Sequence, residues 1–361
     1  MYIIFSILIL GFLIAIHEFG HFIAARIFGV GVNEFAIGMG PKILKKQGKK
    51  TLYSLRLIPF GGFCEMVGED EEEEGADRPD SFNRKAGWKR IIILVAGAFM
   101  NFVAGFLILV IVYFIAASGG NNYTTAPTVT GFMEGFPLEG EEGLMAGDTI
   151  YEVNGERVYY FSNFNAFMYL NTGDTVDLVV IRDGEKVTLG DLPLRQQTYV
   201  YNGETVLKYG LLFEDKIEMT TGRKLQYAWY NTIDYARQVR ISVQMIARGQ
   251  AGISDLTGVV GVIDMMNDVG QEADTLKDAV TSILSIGALI AVNLGIFNLL
   301  PIPGLDGGRI LVMFVSWAYF KIAKRKLNAK YEGYVNFGGF VVMMGLMIFV
   351  LFNDVVRIIG S

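Results

Sequence analysis

The sequence predicts an α-helical polytopic membrane protein that carries a polar insert. Hydrophobic residues make up 52% of its 361 residues and charged residues only 19%. The mean hydropathy is +0.38, a value that soluble proteins of this size rarely reach. The formal net charge of −6 is small and argues against nucleic acid as a partner. The single cysteine, Cys64, excludes an intrachain disulfide.

Four segments are apolar over a length sufficient to cross a bilayer, which takes about 20 residues. They lie at about residues 3–28, 91–117, 283–303 and 335–352, and the fourth meets the requirement only narrowly. Residues 310–320 are also apolar but too short to span, so this segment favours an interfacial helix.

Lysine and arginine predict the orientation of these four spans. Basic residues concentrate between the first and second spans, in residues 29–90, and again after the third span. By the positive-inside rule, both of these loops face the cytoplasm. We therefore expect both termini to lie outside and residues 118–280 to form an external insert.

The first span contains the sequence HEFGH, residues 17–21. Positions i and i+4 lie on one face of a helix, so His17 and His21 can bind one metal ion, and Glu18 can contact a water beside it. Such a motif also occurs by chance in soluble helices, where buried packing would explain it. Within a span, however, an ionisable residue costs at least about 2.5–3.5 kcal/mol and indicates function. The pattern predicts a zinc site with Glu18 as its base.

Residues 298–308, NLLPIPGLDGG, supply a candidate third ligand. Pro301 and Pro303 end the helix, and non-helical backbone at membrane depth is tolerated only beside protein or a watery cavity. Asp306 follows, and His17 lies about 24 Å along its own helix, so both fall in the inner part of the membrane. This agreement in depth favours Asp306 as the third ligand. The alternative is a C-terminal helix cap with a solvated aspartate.

HEFGH and NLLPIPGLDGGR together resemble the two principal motifs of the bacterial site-2 proteases, intramembrane zinc metalloproteases, in their PDZ-bearing branch. The resemblance covers nearly the whole chain and includes the second-span signature GAFMNF and the segment TGVVGV, residues 257–262. It implies zinc bound by His17, His21 and Asp306, Glu18 as catalytic base, and Asn298 as a group that positions the substrate backbone.

Two departures from the family pattern concern local backbone shape rather than the ligands. Ala98 and Val259 stand where proline is usual. Three asparagines in the spans also admit a structural interpretation, because such residues often form interhelical hydrogen bonds. For Asn298 this is the alternative to substrate positioning, for Asn101 it is the favoured interpretation, and Asn293 stays unassigned.

The loop after the first span resembles the membrane-associated β-loop of the same family. Within residues 42–58, Gln47-Gly48 is a turn signal, and residues 52–57 alternate partially as a strand does. A substrate helix must unwind before cleavage, so we expect this hairpin to offer residues 52–57 as an edge for strand pairing. The alternative is an amphipathic hairpin at the lipid headgroups. The acidic run of residues 69–77 is most simply a solvated cytoplasmic loop, and a regulatory role is the alternative.

Within the insert, residues 143–158 resemble the core of a bacterial PDZ domain, with Asn154-Gly155 as a hairpin turn. Such a domain binds extended peptides, and the alternative is a size filter. Residues 223–248 have the spacing of an amphipathic helix, which either gates access or packs on a partner helix. The predicted regions are a membrane core of residues 1–117 and 281–361, a PDZ domain of residues 118–195, and an extracytoplasmic helical region of residues 196–280.

These features predict a zinc-dependent intramembrane endopeptidase of the bacterial inner membrane, with its active site toward the cytoplasm. Its expected substrates are single-span proteins, either anti-sigma factors or remnant signal peptides, cleaved in regulated intramembrane proteolysis. A metal or proton transporter is the main alternative, but transporters of that kind usually contain repeated halves, which are not visible here. An inactive PDZ-bearing scaffold is disfavoured because Glu18 is intact.

Overall fold

The computed structural model of the chain describes residues 1–69, 77–117, 122–201, 203–249, 257–325 and 329–360. The helices in these ranges are α1 Tyr2–Ile27, α2 Gly87–Ala116, α3 Phe161–Leu170, α4 Thr221–Ala247, α5 Val259–Glu272, α6 Leu276–Asn298, α7 Asp306–Ala323 and α8 Ala329–Gly360. The strands are β1 Val32–Gln47, β2 Leu52–Met66, β3 Tyr123–Thr125, β4 Gly131–Phe132, β5 Thr149–Val153, β6 Glu156–Arg157, β7 Val176–Arg182, β8 Glu185–Leu192, β9 Gln197–Tyr201, β10 Glu204–Lys208, β11 Leu211–Leu212 and β12 Lys216–Glu218.

The chain forms two compact units. The first combines Met1–Ile115 with Asn231–Ser361, and the second is Ala116–Tyr230. Among the described residues, three helices are long and apolar enough to cross a membrane, namely α1, α2 and α6. They correspond to the first three predicted spans. In α8 only a shorter apolar stretch, Val341–Asp354, stands out, so the fourth predicted span stays a prediction.

Each of these three helices buries one stripe of residues at intervals of three or four, the spacing of one helical face. On α1 the stripe runs from Ser6 through Leu13 to His21 and Ala25. On α2 it includes Gly97 and Asn101. His21 and Asn101 therefore lie on the buried faces of their helices.

Glycines allow the backbones of the three helices to approach closely. A Cβ atom at Gly20 of α1 would lie less than 3.0 Å from the carbonyl oxygen of Ala96, and one at Gly295 of α6 would lie 2.8 Å from that of Ala98. Small residues at such contacts are typical of helix packing in membranes. Ala98, in place of the family's usual proline, continues α2 without a break.

The proline-containing segment ends the third span earlier than predicted. Helix α6 stops at Asn298 rather than near residue 303, because Pro301 and Pro303 cannot continue it. Asp306 then begins α7, which extends well beyond the predicted residues 310–320. A Cβ at Gly307 would fall less than 3.0 Å from the carbonyl oxygens of Leu299 and Leu300, so the turn packs tightly onto the end of α6.

Strands β1 and β2 form an antiparallel pair that bends back on itself. Residues 42–47 pair with residues 52–56, as the predicted turn at Gln47-Gly48 requires, and residues 34–37 lie opposite both residues 52–55 and residues 62–65. Residues 52–55 are therefore paired on both sides. The expectation that residues 52–57 form the free edge is wrong for this segment, because the bend of the long strands covers it.

A carboxylate inside this sheet holds its segments together. Glu34 is buried and accepts hydrogen bonds from Lys42 at 2.8 Å, Ser54 at 2.6 Å and Arg56 at 2.8 Å. Burial opposes its ionisation, yet these three donors lower the pKa of Glu34 to about 2. The sequence alone gave no indication of this network.

The second unit contains a four-stranded sheet in the order β6-β5-β7-β8, with α3 between β6 and β7 in the chain. Asn154 and Gly155 both have positive φ and join β5 to β6, which confirms the predicted hairpin turn. Asp183 and Gly184 also have positive φ and join β7 to β8. Asp148, which is 1% exposed, pairs with Arg182 at 2.8 Å, and this hydrogen bond raises the pKa of the guanidinium.

Two further helices bear on the predictions. Helix α4 matches the amphipathic helix predicted at residues 223–248 within two residues at its start and one at its end. Helix α5 begins in the TGVVGV segment, where the backbone N–H groups of Gly258 and Gly261 donate to the buried carboxylate of Asp354 on α8. Val259, in place of proline, is the first residue of α5.

Candidate metal centre

His17 and His21 lie on the buried face of α1 and turn their Nε2 atoms toward one point. The two Nε2 atoms are 3.2 Å apart, as expected for side chains one helical turn apart. The Nδ1 atom of His21 lies 2.8 Å from the carbonyl oxygen of Ile93 on α2. A carbonyl can only accept, so Nδ1 carries the proton and the lone pair of Nε2 is left for a metal ion.

Asp306 brings a carboxylate to the same point from the start of α7. Its Oδ2 atom lies 3.3 Å from the Nε2 atom of His17 and 3.3 Å from that of His21. This oxygen is buried and lacks a geometrically acceptable hydrogen bond within the described part of the chain. Asp306 is the first residue of a helix and its side chain is only 16% exposed. It is therefore not the solvated C-terminal cap that was the alternative expectation from the sequence.

These three atoms fit a zinc ion. Zinc bonds of about 2.0–2.2 Å in tetrahedral geometry place the ligand atoms about 3.3–3.5 Å from one another. The observed separations are 3.2, 3.3 and 3.3 Å. Two imidazole nitrogens and one carboxylate oxygen also match the donor set of catalytic zinc sites, in which a fourth position stays open for water.

Gly97 of α2 provides the space for this cluster. A Cβ atom at this position would lie 2.8 Å from the Cε1 atom of His17 and less than 3.0 Å from the Nε2 atom of His21. Two real atoms do not approach so closely, so only glycine lets α2 pass behind both rings. The requirement for glycine here was not recognised from the sequence.

Glu18 lies beside the cluster, at the wall of a cavity of about 630 Å³. Its carboxylate lies close to the backbone N–H of Cys64 in β2. The cavity is also lined by His17, His21, Asp306 and residues 61–66. The carboxylate thus faces the same space as the three candidate ligands, without being part of their cluster.

Two asparagines contact His17 from neighbouring helices. The Nδ2 atoms of Asn101 on α2 and Asn298 on α6 each lie 3.4 Å from the Nδ1 atom of His17. The Oδ1 atom of Asn101 is buried without a hydrogen-bond partner among the described residues. Amide oxygen and nitrogen exchange places on a half-turn of the side chain. That turn would let Oδ1 accept from Nδ1–H of His17, and it would leave Nε2 for metal.

The sequence favoured a packing role for Asn101, whereas the structure places its amide within 3.4 Å of a candidate metal ligand, His17. Its position four residues after Gly97 on the buried face of α2 was the available signal.

Arg309 is a second residue near the metal centre that the sequence did not single out. It lies one turn after Asp306, lines the cavity and forms an ion pair with Glu69. Most of the acidic run lies outside the described residues, since 70–76 are among those left undescribed.

The comparison with protein families decides the class of this protein. The model of peptidase family M50 matches residues 5–346, which include every residue of the cluster and the cavity wall. The chain belongs to peptidase family M50. It is a zinc metalloprotease of the site-2 protease type, and zinc is its cofactor, as expected from the sequence.

Individual relatives agree with this assignment along their full lengths. A protein of Clostridium perfringens whose name places it provisionally among the zinc metalloproteases is 34% identical over 357 residues, covering 99% of each chain. The regulator of sigma-W protease RasP of Bacillus subtilis is 26% identical, over 99% of this chain and 98% of the relative. The zinc metalloprotease RasP of Bacillus licheniformis is 28% identical and covers 99% of both chains.

Proposed function

We propose that this M50 peptidase is an intramembrane endopeptidase in which His17, His21 and Asp306 hold the zinc ion and Glu18 is the catalytic base. The observation that carries the proposal is the convergence of three ligand atoms within 4.8 Å of one another. Two of them come from a helix that is long and apolar enough to span a membrane. Hydrolysis at this depth requires access for water, and the cavity that the same residues line has room for it.

The roles divide according to position. Zinc supplies Lewis acidity, which acidifies water and polarises a carbonyl group. Glu18 faces the cavity and takes the proton of the attacking water, then returns it to the leaving amine. Asn298 lies 3.4 Å from both ring nitrogens of His17, so its amide is placed to hold the substrate backbone beside the cluster. Asn101 and the carbonyl of Ile93 orient the imidazoles and act through them.

The substrate backbone pairs with residues 62–66 of β2 rather than with residues 52–57. Residues 61–66 line the cavity next to the candidate ligands, and Cys64 and Glu18 share its wall. An unwound substrate exposes its backbone N–H and C=O groups, and a strand at the cavity wall can satisfy them.

Four spans and an external PDZ domain complete the proposed architecture. Helix α8 supplies the fourth span, both termini and the insert lie outside, and the active site faces the cytoplasmic side of a bacterial inner membrane. The domain boundaries are those predicted from the sequence. The four-stranded sheet with its inserted helix α3 supports a PDZ domain for residues 118–195, which either binds an extended peptide or excludes bulky external domains. Between it and the third span, α4 lies at the outer membrane interface.

The proposed substrates are single-span membrane proteins that have already lost their external domains. RasP is named a regulator of sigma-W protease, which supports an anti-sigma factor as one substrate class for this chain. Remnant signal peptides are the other. In both cases, cleavage belongs to regulated intramembrane proteolysis.

Replacing Glu18 by glutamine tests the base assignment. In proteoliposomes that contain a single-span model substrate, E18Q is expected to cleave about 10²–10⁴-fold more slowly while keeping one zinc ion per chain. Glu272 ends α5 and is not among the residues that line the cavity, so E272Q is the control and is expected to cleave normally. Unchanged cleavage by E18Q would refute the role of Glu18. A zinc or proton flux that E18Q alters, without any cleavage by the wild type, would favour a transporter instead.

A further inference from the structure

A second cavity, of about 380 Å³, lies away from the metal centre, where the end of α1 meets the β1–β2 turn. Its basic lining residues are Arg26 from the last turn of α1 and Lys49 and Lys50 from the turn. The same wall contains Gly29, Gly31, Thr51, Tyr53 and Asp80. The volume is in the range of small-molecule sites, which starts at about 300 Å³.

The charge of this cavity is positive in spite of Asp80. Arg78 binds the Asp80 carboxylate through two hydrogen bonds of 2.9 and 2.8 Å, and these bonds lower the pKa of Asp80. No carboxylate of a described residue forms an ion pair with Arg26, Lys49 or Lys50. A fourth cation lies close by, because the Nζ atom of Lys85 is 3.7 Å from the position that a Cβ on Gly29 would take.

The cavity lies at the level of the membrane surface. Arg26 stands one residue before the end of α1, which is long and apolar enough to span, so the adjoining cavity falls where hydrocarbon gives way to headgroups. The aromatic residues at the end of α1 and the start of α2 agree with that depth. Phe28 contacts Trp88, the second residue of α2, edge-on at 5.5 Å between ring centroids, and Lys89 lies over both rings. Tryptophan and lysine are typical of this interface.

We propose that this cavity binds the phosphate of an anionic phospholipid headgroup, held by Arg26, Lys49 and Lys50. A basic recess at the end of a spanning helix matches the sites that anionic headgroups occupy. The lipid tails would continue along the apolar outer face of α1, where Ile23 and Ile27 are exposed. The binding joins the tip of the β1–β2 pair to the membrane surface and fixes the sheet that lines the catalytic cavity. It does not depend on cleavage or on zinc.

Native mass spectrometry of the full chain in a neutral detergent tests the proposal with dioleoyl phosphatidylglycerol as the probe. We expect saturable binding of phosphatidylglycerol and none of dioleoyl phosphatidylcholine, which has no net charge. The double variant K49Q/K50Q is expected to weaken binding by about fivefold for each lysine removed. The variant K45Q/K46Q is the matched control, since it makes the same charge change on the same strand pair outside the cavity, and it should bind as the wild type does.

Hydrogen–deuterium exchange on the same samples locates the ligand. Phosphatidylglycerol should slow exchange in residues 26–31 and 48–53 of the wild type and of K45Q/K46Q, but not of K49Q/K50Q. If K49Q/K50Q and K45Q/K46Q lost phosphatidylglycerol binding equally, the proposal would be overturned, because such a result would indicate general attraction of the lipid to a basic surface. Equally tight binding of inorganic phosphate alone, or complete displacement of the lipid by it at millimolar concentration, would overturn the assignment to a lipid.

Discussion

Gly97 of α2 lies directly against the imidazole rings of His17 and His21, with no room for a Cβ atom between them. Replacing Gly97 by alanine must therefore move at least one ring away from the position that Asp306 faces. We expect G97A to lose zinc, to less than one tenth of an ion per chain, and to lose cleavage with it. Metal analysis of the purified protein measures this directly.

Gly87 provides the control for that substitution. It is the first residue of the same helix, and a Cβ atom there would meet nothing within 4 Å. G87A should keep full zinc occupancy and activity. Full occupancy in G97A as well would show that the rings are not confined as the structure describes.

Asn101 is expected to tune the affinity of the metal centre through His17. Loss of a partner that orients a ligand typically costs 10–100-fold in metal affinity, so N101L should bind zinc about 10–100-fold more weakly in competition with a chelator. Asn293 is the matched residue on α6, since its Oδ1 atom is also buried without a partner among the described residues. N293L should leave zinc affinity unchanged, and a similar loss in both variants would assign Asn101 to packing after all.

Glu34 makes the stability of the β1–β2 pair depend on pH. Its folded pKa is about 2, whereas an unperturbed glutamate titrates near 4.3. A depressed pKa stabilises the fold above the unfolded value, and this contribution is lost as the pH falls from about 4.3 toward 2. The midpoint of thermal unfolding should decline in this window, and the decline should be smaller in E34Q. An equal slope in E34Q would show that other carboxylates dominate.

The second unit contains a buried ion pair and an exposed one, which should differ in their effect on stability. Asp148 is 1% exposed and Arg182 16%, whereas Asp174 and Arg195 are 88% and 57% exposed. Removing one partner of a buried pair costs about 3–5 kcal/mol, and an exposed pair contributes about 0–1 kcal/mol. Chemical denaturation should therefore show a large loss of unfolding free energy for D148N and almost none for D174N, with zinc retained in both. Equal losses of unfolding free energy in D148N and D174N would contradict the burial of the Asp148–Arg182 pair.

The sequence was sufficient for the parts of this molecule that depend on local spacing. Three spans followed from their apolar length, the pairing of His17 with His21 from helical periodicity, and the hairpin turn at Asn154-Gly155 from its residue types. The proximity of Asp306 could be inferred only because two separate arguments gave the same depth. The end of the third span was placed too late, since hydropathy alone does not register where Pro301 interrupts the helix.

Features that arise from contacts between distant segments could not be inferred. The register of β1 and β2 is irregular, so nothing in the alternation of residues 52–57 revealed that another part of β1 would cover them. The carbonyl of Ile93 that orients His21, the amide of Asn101 and the carboxylate of Asp354 each act across more than 70 residues of chain. The carbonyl of Ile93 and the N–H groups that bind Asp354 belong to the backbone and leave no residue-type signature.

Anomalous X-ray scattering at the zinc absorption edge, from crystals of the full chain, tests the central claim most directly. A single strong peak is expected at about 2.0–2.2 Å from the Nε2 atoms of His17 and His21 and from Oδ2 of Asp306, and it should be absent from crystals of D306A. A peak coordinated by other residues, or one that persists unchanged in D306A, would contradict the metal centre described here.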